Sequence, residues 1–235
     1  MNFLAVDIET TGLSPVKDRI IEVAAIRYID GEPKEHFEKL INPGCRLPER
    51  IIELTGITQD MLVNAKTERE VMEEFLSFAG GDVLLGHNIS FDYSFIKTAA
   101  HRLKKGFECR GIDTLYLSRR LKADLEKKSL EAMCRHYEII RECSHRALED
   151  AIAAAALYQK LREEFKGCFD KEFLPVTLNY TVKKQEPMTE KQKKYLLDLV
   201  NYHKIEVPCG FAEFSKSMAS RFIDKTILHY GRVKR

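Results

Sequence analysis

Residues 3–12 read Phe-Leu-Ala-Val-Asp-Ile-Glu-Thr-Thr-Gly. The opening run is apolar and β-prone, and it predicts a strand over residues 2–8. Asp7 and Glu9 stand two apart at its end. In a strand, residues i and i+2 face the same side, so the two carboxylates project together while Ile8 turns into the core. Neighbouring carboxylates resist joint ionisation. A hard divalent cation, which prefers oxygen ligands, relieves that repulsion. Taken alone, the pair fits solvated acids at an exposed strand end better than a metal site. The following Thr10-Thr11-Gly12 turns the chain sharply, and its glycine lets a ligand approach the backbone.

Outward from this stretch, residues 19–29 form a nearly continuous apolar run, the mark of a central strand covered on both faces. Asp30-Gly31 is a hairpin turn signal, and residues 36–41 supply the returning strand. Three antiparallel strands thus open the chain. Helices and short strands then alternate. A helix is expected over 70–79, with Val71, Met72, Phe75, Leu76 and Ala79 on one face, then a strand over 82–85. A helix capped by Ser90 is expected over 91–104. A strand over 108–112 and helices over 113–121, 129–136 and 147–165 follow. This order predicts an α/β fold with a mixed sheet and helices on both faces. Periodicity fades over 167–187, which reads as a linker. Thr189-Glu190-Lys191-Gln192 has the capping-box pattern of a helix start, and a second helix is expected over 217–229. The expected organisation is a main domain over 1–166, the linker, and a small basic two-helix module over 188–235 with little core of its own.

The 235 residues are 44% hydrophobic and 31% charged, as in an ordered globular chain. No apolar run approaches the roughly 20 residues that span a bilayer. The N-terminus lacks the features of a signal peptide, so the expected location is cytoplasmic, with no membrane partner. None of the six cysteines forms a C-x-x-C pair, and free thiols in a reducing compartment are the expectation. The net charge of +2 hides an asymmetry. Residues 181–235 hold 12 basic and 6 acidic side chains, a balance of +6, which leaves −4 on the rest.

Two further stretches carry acids at element ends. Gly86-His87-Asn88-Ile89-Ser90-Phe91-Asp92 leaves a strand and puts Asp92 in the first turn of a helix, where the helix dipole favours a carboxylate. His145-Arg146-Ala147-Leu148-Glu149-Asp150-Ala151 sets a histidine five residues before an aspartate. On one continuous helix these would splay about 140° apart. They converge when His145 lies on the loop before the helix and Asp150 in its early turns. The run of alanines from Ala151 to Ala156 lets that helix approach a sheet closely. The three stretches together supply Asp7, Glu9, Asp92, Asp150 and His145. That is a ligand set for two hard cations plus a base whose ordinary titration range lies near neutral pH.

D-I-E-T-T-G, G-H-N-I-S-F-D and H-R-A-L-E-D-A resemble the three motifs of the DEDDh exonucleases. This family is also called DnaQ-like, after the proofreading subunit of bacterial replicative polymerase. Ile41-Asn42-Pro43-Gly44 and Leu54-Thr55-Gly56-Ile57-Thr58 are similar to its usual stretch between the first two motifs. The resemblance covers about residues 1–165. It implies an RNase H-like fold and a 3′–5′ exonuclease that uses two Mg²⁺ or Mn²⁺ ions and releases nucleoside 5′-monophosphates. Asp7, Glu9 and Asp150 then resemble the inner metal ligands, and Asp92 the acid that reaches a metal directly or through water. His145 resembles the general base. Thr10, Thr11, Gly12 and Leu13 on one side, and His87, Asn88 and Phe91 on the other, correspond to substrate-binding positions. Core packing and turn chemistry account for these seven equally well. The implied substrate is a single-stranded 3′ end, foremost of DNA in proofreading or repair. Trimming of RNA and a non-catalytic nucleic-acid adaptor are the alternatives. The implied protein partners are a DNA polymerase and a second copy of the chain.

For the basic tail three readings stay open. Lys183, Lys184, Lys191, Lys193, Lys194, Lys204 and Arg221 form a phosphate clamp, or a solvated helix face, or the module docks onto another protein.

Overall fold

The computed structural model describes residues 2–141, 145–182, 186–207, 211 and 214–233. The chain divides into two compact units, residues 1–43 with 47–182 and residues 44–46 with 183–235.

The larger unit is built on a seven-stranded mixed sheet. Its strands are β1 (Phe3–Thr10), β2 (Ile20–Ile29), β3 (Glu32–Asn42), β4 (Lys66–Thr67), β5 (Leu84–Gly86), β6 (Arg110–Asp113) and β7 (Val176–Thr177), in the order β4-β3-β2-β1-β5-β6-β7. The acid-bearing strand is therefore the middle one. β1, β2 and β3 form the expected antiparallel meander, while β5 runs parallel to β1 and β6 parallel to β5. The helices of this unit are α1 (Glu49–Thr55), α2 (Gln59–Val63), α3 (Glu68–Ala79), α4 (Ile89–Arg102), α5 (Thr114–Leu121), α6 (Leu130–His136) and α7 (Ala147–Glu164).

The period-2 alternation of β1 sorts its side chains between two cores. Leu4, Val6 and Ile8 pack with Val71 and Phe75 of α3 and with Ile89, Phe95 and Ile96 of α4. Phe3 and Ala5 face the other way, into a cluster with Ala151, Ala154, Ala155 and Tyr158 of α7. Asp7 and Glu9 continue that second face, so the strand aims both acids toward the helix that carries Asp150. Small side chains let α7 lie close to the sheet. On the first face, Gly86 admits the chain where a Cβ would meet the Val6 carbonyl at 3.0 Å and the Ile89 side chain at 2.9 Å.

Several boundaries differ from expectation for local reasons. α3 starts at Glu68, because Thr67 and Glu70 form a capping box in which the Thr67 amide donates to the Glu70 carboxylate at 2.9 Å. α4 starts before Ser90, with Asn88 as the N-cap in the left-handed backbone region (φ 73°). The Asn88 amide is taken by Asp113 Oδ1 at 2.9 Å. α1 and α2 carry no sustained periodicity and had not been expected. They bury Ile51 and Leu62 with Ile21, Leu47 and Ile57.

The segment read as a linker is not one along its whole length. A 3₁₀ turn over Asp170–Phe173 buries Phe173, which packs edge-on against Tyr158. Val176–Thr177 then pairs antiparallel with β6, and Leu178 is buried beside Gly111. The larger compact unit runs to Val182. A two-residue strand and a single 3₁₀ turn are too short for hydrophobic periodicity to reveal.

The smaller unit holds α8 (Glu190–His203) and α9 (Lys216–Tyr230). The Thr189 capping box forms as read, and Gln192 also donates to the Lys216 carbonyl and to Ser220, tying the two helix starts together. Leu196, Val200, Phe214 and Ala219 form its buried apolar cluster. Among the described residues no helix is long and apolar enough to cross a membrane. Cys45, Cys109, Cys134 and Cys168 are free thiols, while Cys143 and Cys209 lie outside the described residues.

Candidate active site

The end of β1 is set by a bulge. Glu9 pairs with Glu22, but Thr10 pairs with Ile20, so one residue of β2 is skipped beside the acids. The turn beyond is pinned. Thr10 Oγ1 donates to the Gly12 carbonyl at 2.6 Å, and the Ser14 amide donates to Asp18 at 2.8 Å. A Cβ at position 12 would lie 2.6 Å from the Asp18 carboxyl, so a larger residue there would displace the side chain that holds the Ser14 amide.

Three elements bring the five predicted residues together. Asp7 and Glu9 come from β1. Asp92, in the first turn of α4, is buried and accepts the Ile8 amide at 3.2 Å, which ties it to the same strand. His145 lies on the loop before α7, and Asp150 in the first turn of that helix. His145 adopts a left-handed backbone (φ 59°) and is exposed, while Asp150 is buried. One ligand atom from each of Glu9, His145 and Asp150 falls within 4.8 Å of the others.

The electrostatics follow from this crowding. Burial, and then the charges of Asp92, Asp150, Glu9 and Glu22, push the Asp7 carboxyl well above the usual carboxylate range. Glu9 is pushed up to about 8 by burial and then by Asp150 and Glu22, with Arg146 pulling the other way. Burial also raises Asp92 and Asp150. The Ile8 amide opposes the shift at Asp92, and Arg141 and His145 oppose it at Asp150. Four acids facing one spot are costly without a cation. As an oxygen-rich set with one imidazole, they fit a hard divalent metal.

Sequence reasoning missed two charged residues here. Arg141 forms an ion pair with Asp150, and its Nε is buried with no hydrogen-bond partner among the described residues. Glu22 is fully buried on the strand beside Glu9, where it meets the Arg146 guanidinium at 2.7 Å.

A cleft of about 400 Å³ adjoins the acids, lined by Ile8, Glu9, Thr10, Gly12, Leu13 and Phe91 with Arg50, Ile51 and Leu54 of α1. Leu13 is 79% exposed. Of the other residues assigned to substrate, Thr11 is buried and bonded to the Arg19 amide at 3.0 Å. His87 has both ring nitrogens engaged, with Thr114 Oγ1 at 2.9 Å and the Lys128 carbonyl at 2.8 Å. Asn88 is exposed at the start of α4. None of these three is among the cleft's lining. Lys191, Lys193, Lys194, Lys204 and Arg221 are exposed, and Lys183 and Lys184 lie outside the described residues.

Residues 4–158 match the model of the RNase_T family, described as exonuclease. The chain is 40% identical over 164 residues to the PolC-type DNA polymerase III of Caldanaerobacter subterraneus subsp. tengcongensis. It is 41% identical over 165 residues to that of Staphylococcus aureus. Each match covers 70% of this chain and 12% of the relative, so the chain spans about an eighth of these polymerases. Among solved structures, exonuclease X in complex with 5′-overhanging duplex DNA aligns with a TM-score of 0.59 at 23% identity, over 73% of this chain and 96% of that one. The zinc-bound complex of Escherichia coli exonuclease I with single-stranded DNA aligns with a TM-score of 0.67 at 22% identity, over 72% and 42%. At these identities the two structures share the fold. The chain belongs to the RNase_T exonuclease family, within the DnaQ-like exonucleases.

Proposed function

We propose that this exonuclease removes nucleotides from the 3′ end of DNA by divalent-metal-assisted hydrolysis, in proofreading or repair. The observation that carries the reading is the convergence of Glu9, His145 and Asp150 within 4.8 Å at the end of the strand that holds Asp7. Asp7, Glu9, Asp92 and Asp150 would hold two Mg²⁺ or Mn²⁺ ions. Such ions supply an activated water and neutralise charge on the phosphate and leaving oxygen. His145, exposed beside Glu9 and Asp150, takes the proton of the attacking water. Leu13, Leu54 and Phe91 offer apolar surface to the terminal base, and the backbone at Gly12 admits the sugar. The −4 of residues 1–180 supports a role for the cation in admitting a phosphate chain that the acids alone would repel.

The PolC-type relatives support DNA as the substrate and a polymerase as the protein partner. The exposed basic residues of the smaller unit would grip phosphates upstream of the 3′ end. The test is degradation of 5′-labelled single-stranded, duplex and mismatched DNA and RNA, with Mg²⁺ and then Mn²⁺. A ladder shortening from the 3′ end of DNA, dependent on the metal, is expected. Faster digestion of RNA, or products released from the 5′ end, would overturn the reading.

A further inference from the structure

Glu22 poses a problem of cost. It is a fully buried carboxylate added to a site already crowded with acids. A buried charge persists only when paired and hydrogen-bonded. Glu22 is both. The Arg146 Nε and a terminal nitrogen donate to Oε1 at 3.1 and 2.7 Å, and the Ala147 amide donates to Oε2 at 2.9 Å.

These bonds meet the chain at one place. Arg146 is the N-cap of α7 and makes no side-chain cap bond. Arginine has no acceptor with which to make one. Glu22 supplies it from another strand, where a carboxylate also complements the helix dipole. The Arg146 carbonyl then accepts the Asp150 amide at 3.0 Å. His145 directly precedes the clasped residue and holds a positive φ of 59°. That backbone state is unfavourable for a non-glycine residue and persists where the surroundings enforce it. Glu22 is also the strand partner of Glu9, so one side chain references the helix start to the strand of acids.

We propose that Glu22 and Arg146 form a clasp that positions His145 against Glu9 and Asp150, which makes both positioning residues for the exonuclease reaction. The proposal rests on the reading of His145 as the general base. A carboxylate and a guanidinium joined through two nitrogens have a defined relative orientation, which a single-point contact lacks. Small displacements of a catalytic group carry large kinetic costs.

The test is a set of kinetic cycles on a labelled DNA oligonucleotide with Mg²⁺. Glu22→Gln keeps the shape but loses the charge, and Arg146→Lys keeps the charge but loses the fork. Each is expected to lower kcat by about 10- to 100-fold while KM stays within about three-fold. In a His145→Ala background the same changes should lower kcat by less than about three-fold, because a clasp that acts through His145 has nothing left to position. Wild-type rates in both single variants overturn the clasp. So does full multiplication of the effects in the His145→Ala background, which marks a general structural role. Should Glu22→Gln fail to fold, Arg146→Lys carries the cycle alone, since that side chain is already 35% exposed. A His145→Ala protein as fast as wild type removes the base assignment and the clasp with it.

Discussion

Asp7 is held where a carboxylate is least comfortable, half-buried and facing other acids. Its replacement separates function from stability. Asp7→Asn or Asp150→Ala is expected to lower turnover by about a thousand-fold or more, equivalent to about 4 kcal/mol of transition-state stabilisation. In metal-free buffer, Asp7→Asn should melt no lower than wild type, because a repelled charge has been removed. Near-wild-type turnover in a folded variant would exclude Asp7 from the metal site. The same crowding sets a pH dependence. A carboxyl whose folded pKa lies above its unfolded value stabilises the protein at low pH, and that contribution is lost as pH rises through the folded value. For Glu9 the window runs from 4.5 to about 8. Metal-free protein should therefore lose melting temperature between about pH 5 and pH 8, and Mg²⁺ should restore it most at the upper end. For a chain of this size each 1 kcal/mol moves the melting point by about 2–4 °C, well within the reach of calorimetry. A melting point that is flat with pH in EDTA would contradict the raised acids. The five motif residues were legible because each occupies a strand end or helix start within a short quoted stretch. Glu22 was not. It sits in a run that reads as apolar strand, and its partner Arg146 lies 124 residues away.

At the scale of elements, legibility followed length. β2 and α7 carry enough repeats of their period to be read, and the structure places them within a residue or two of expectation, while β3 begins at Glu32, four residues before its expected start. α1 and α2, of seven and five residues, carry too few repeats. α1 nonetheless contributes Arg50, Ile51 and Leu54 to the cleft. The stretch read as a linker gives a direct test. Phe173 is 4% exposed and packs on Tyr158 with ring centroids 5.9 Å apart. Phe173→Ala is expected to cost about 3–5 kcal/mol, the range for deleting a buried aromatic side chain. In a true linker the same change would fall within about 0.5 kcal/mol. Urea denaturation of the two proteins distinguishes these outcomes. Because Tyr158 and the alanines of α7 share this cluster, the loss should also reach the helix that carries Asp150. A fall in turnover larger than the unfolded fraction explains is the expected sign of it.

At the scale of the whole chain the governing fact is the charge split, +6 in residues 181–235 against −4 in the rest. The larger unit has its own two-sided core and holds every member of the acid site, while the smaller unit has a separate four-residue core. Removal of residues 183–235 should therefore leave turnover on a very short oligonucleotide within a few-fold of wild type. Such a substrate needs the acids, His145 and the cleft at Leu13 and Leu54. Long strands add phosphates for Lys191, Lys193, Lys194, Lys204 and Arg221 to meet. Each phosphate contact on a single strand contributes about −0.7 to the slope of log affinity against log salt. Loss of three or four contacts should flatten that slope by about 2–3 and weaken binding at low salt far more than at high salt. The measurement is a titration of full-length and truncated chains with long and short single strands at several salt concentrations. Ca²⁺ in place of Mg²⁺ prevents cleavage. Equal slopes on long strands would remove the phosphate grip and leave the smaller unit as a surface for another protein. Reversal of charge at Lys191 and Lys194 in the intact chain serves as the control for folding. It should flatten the slope by about 1.4 for two contacts while the melting point stays put, since both side chains are exposed.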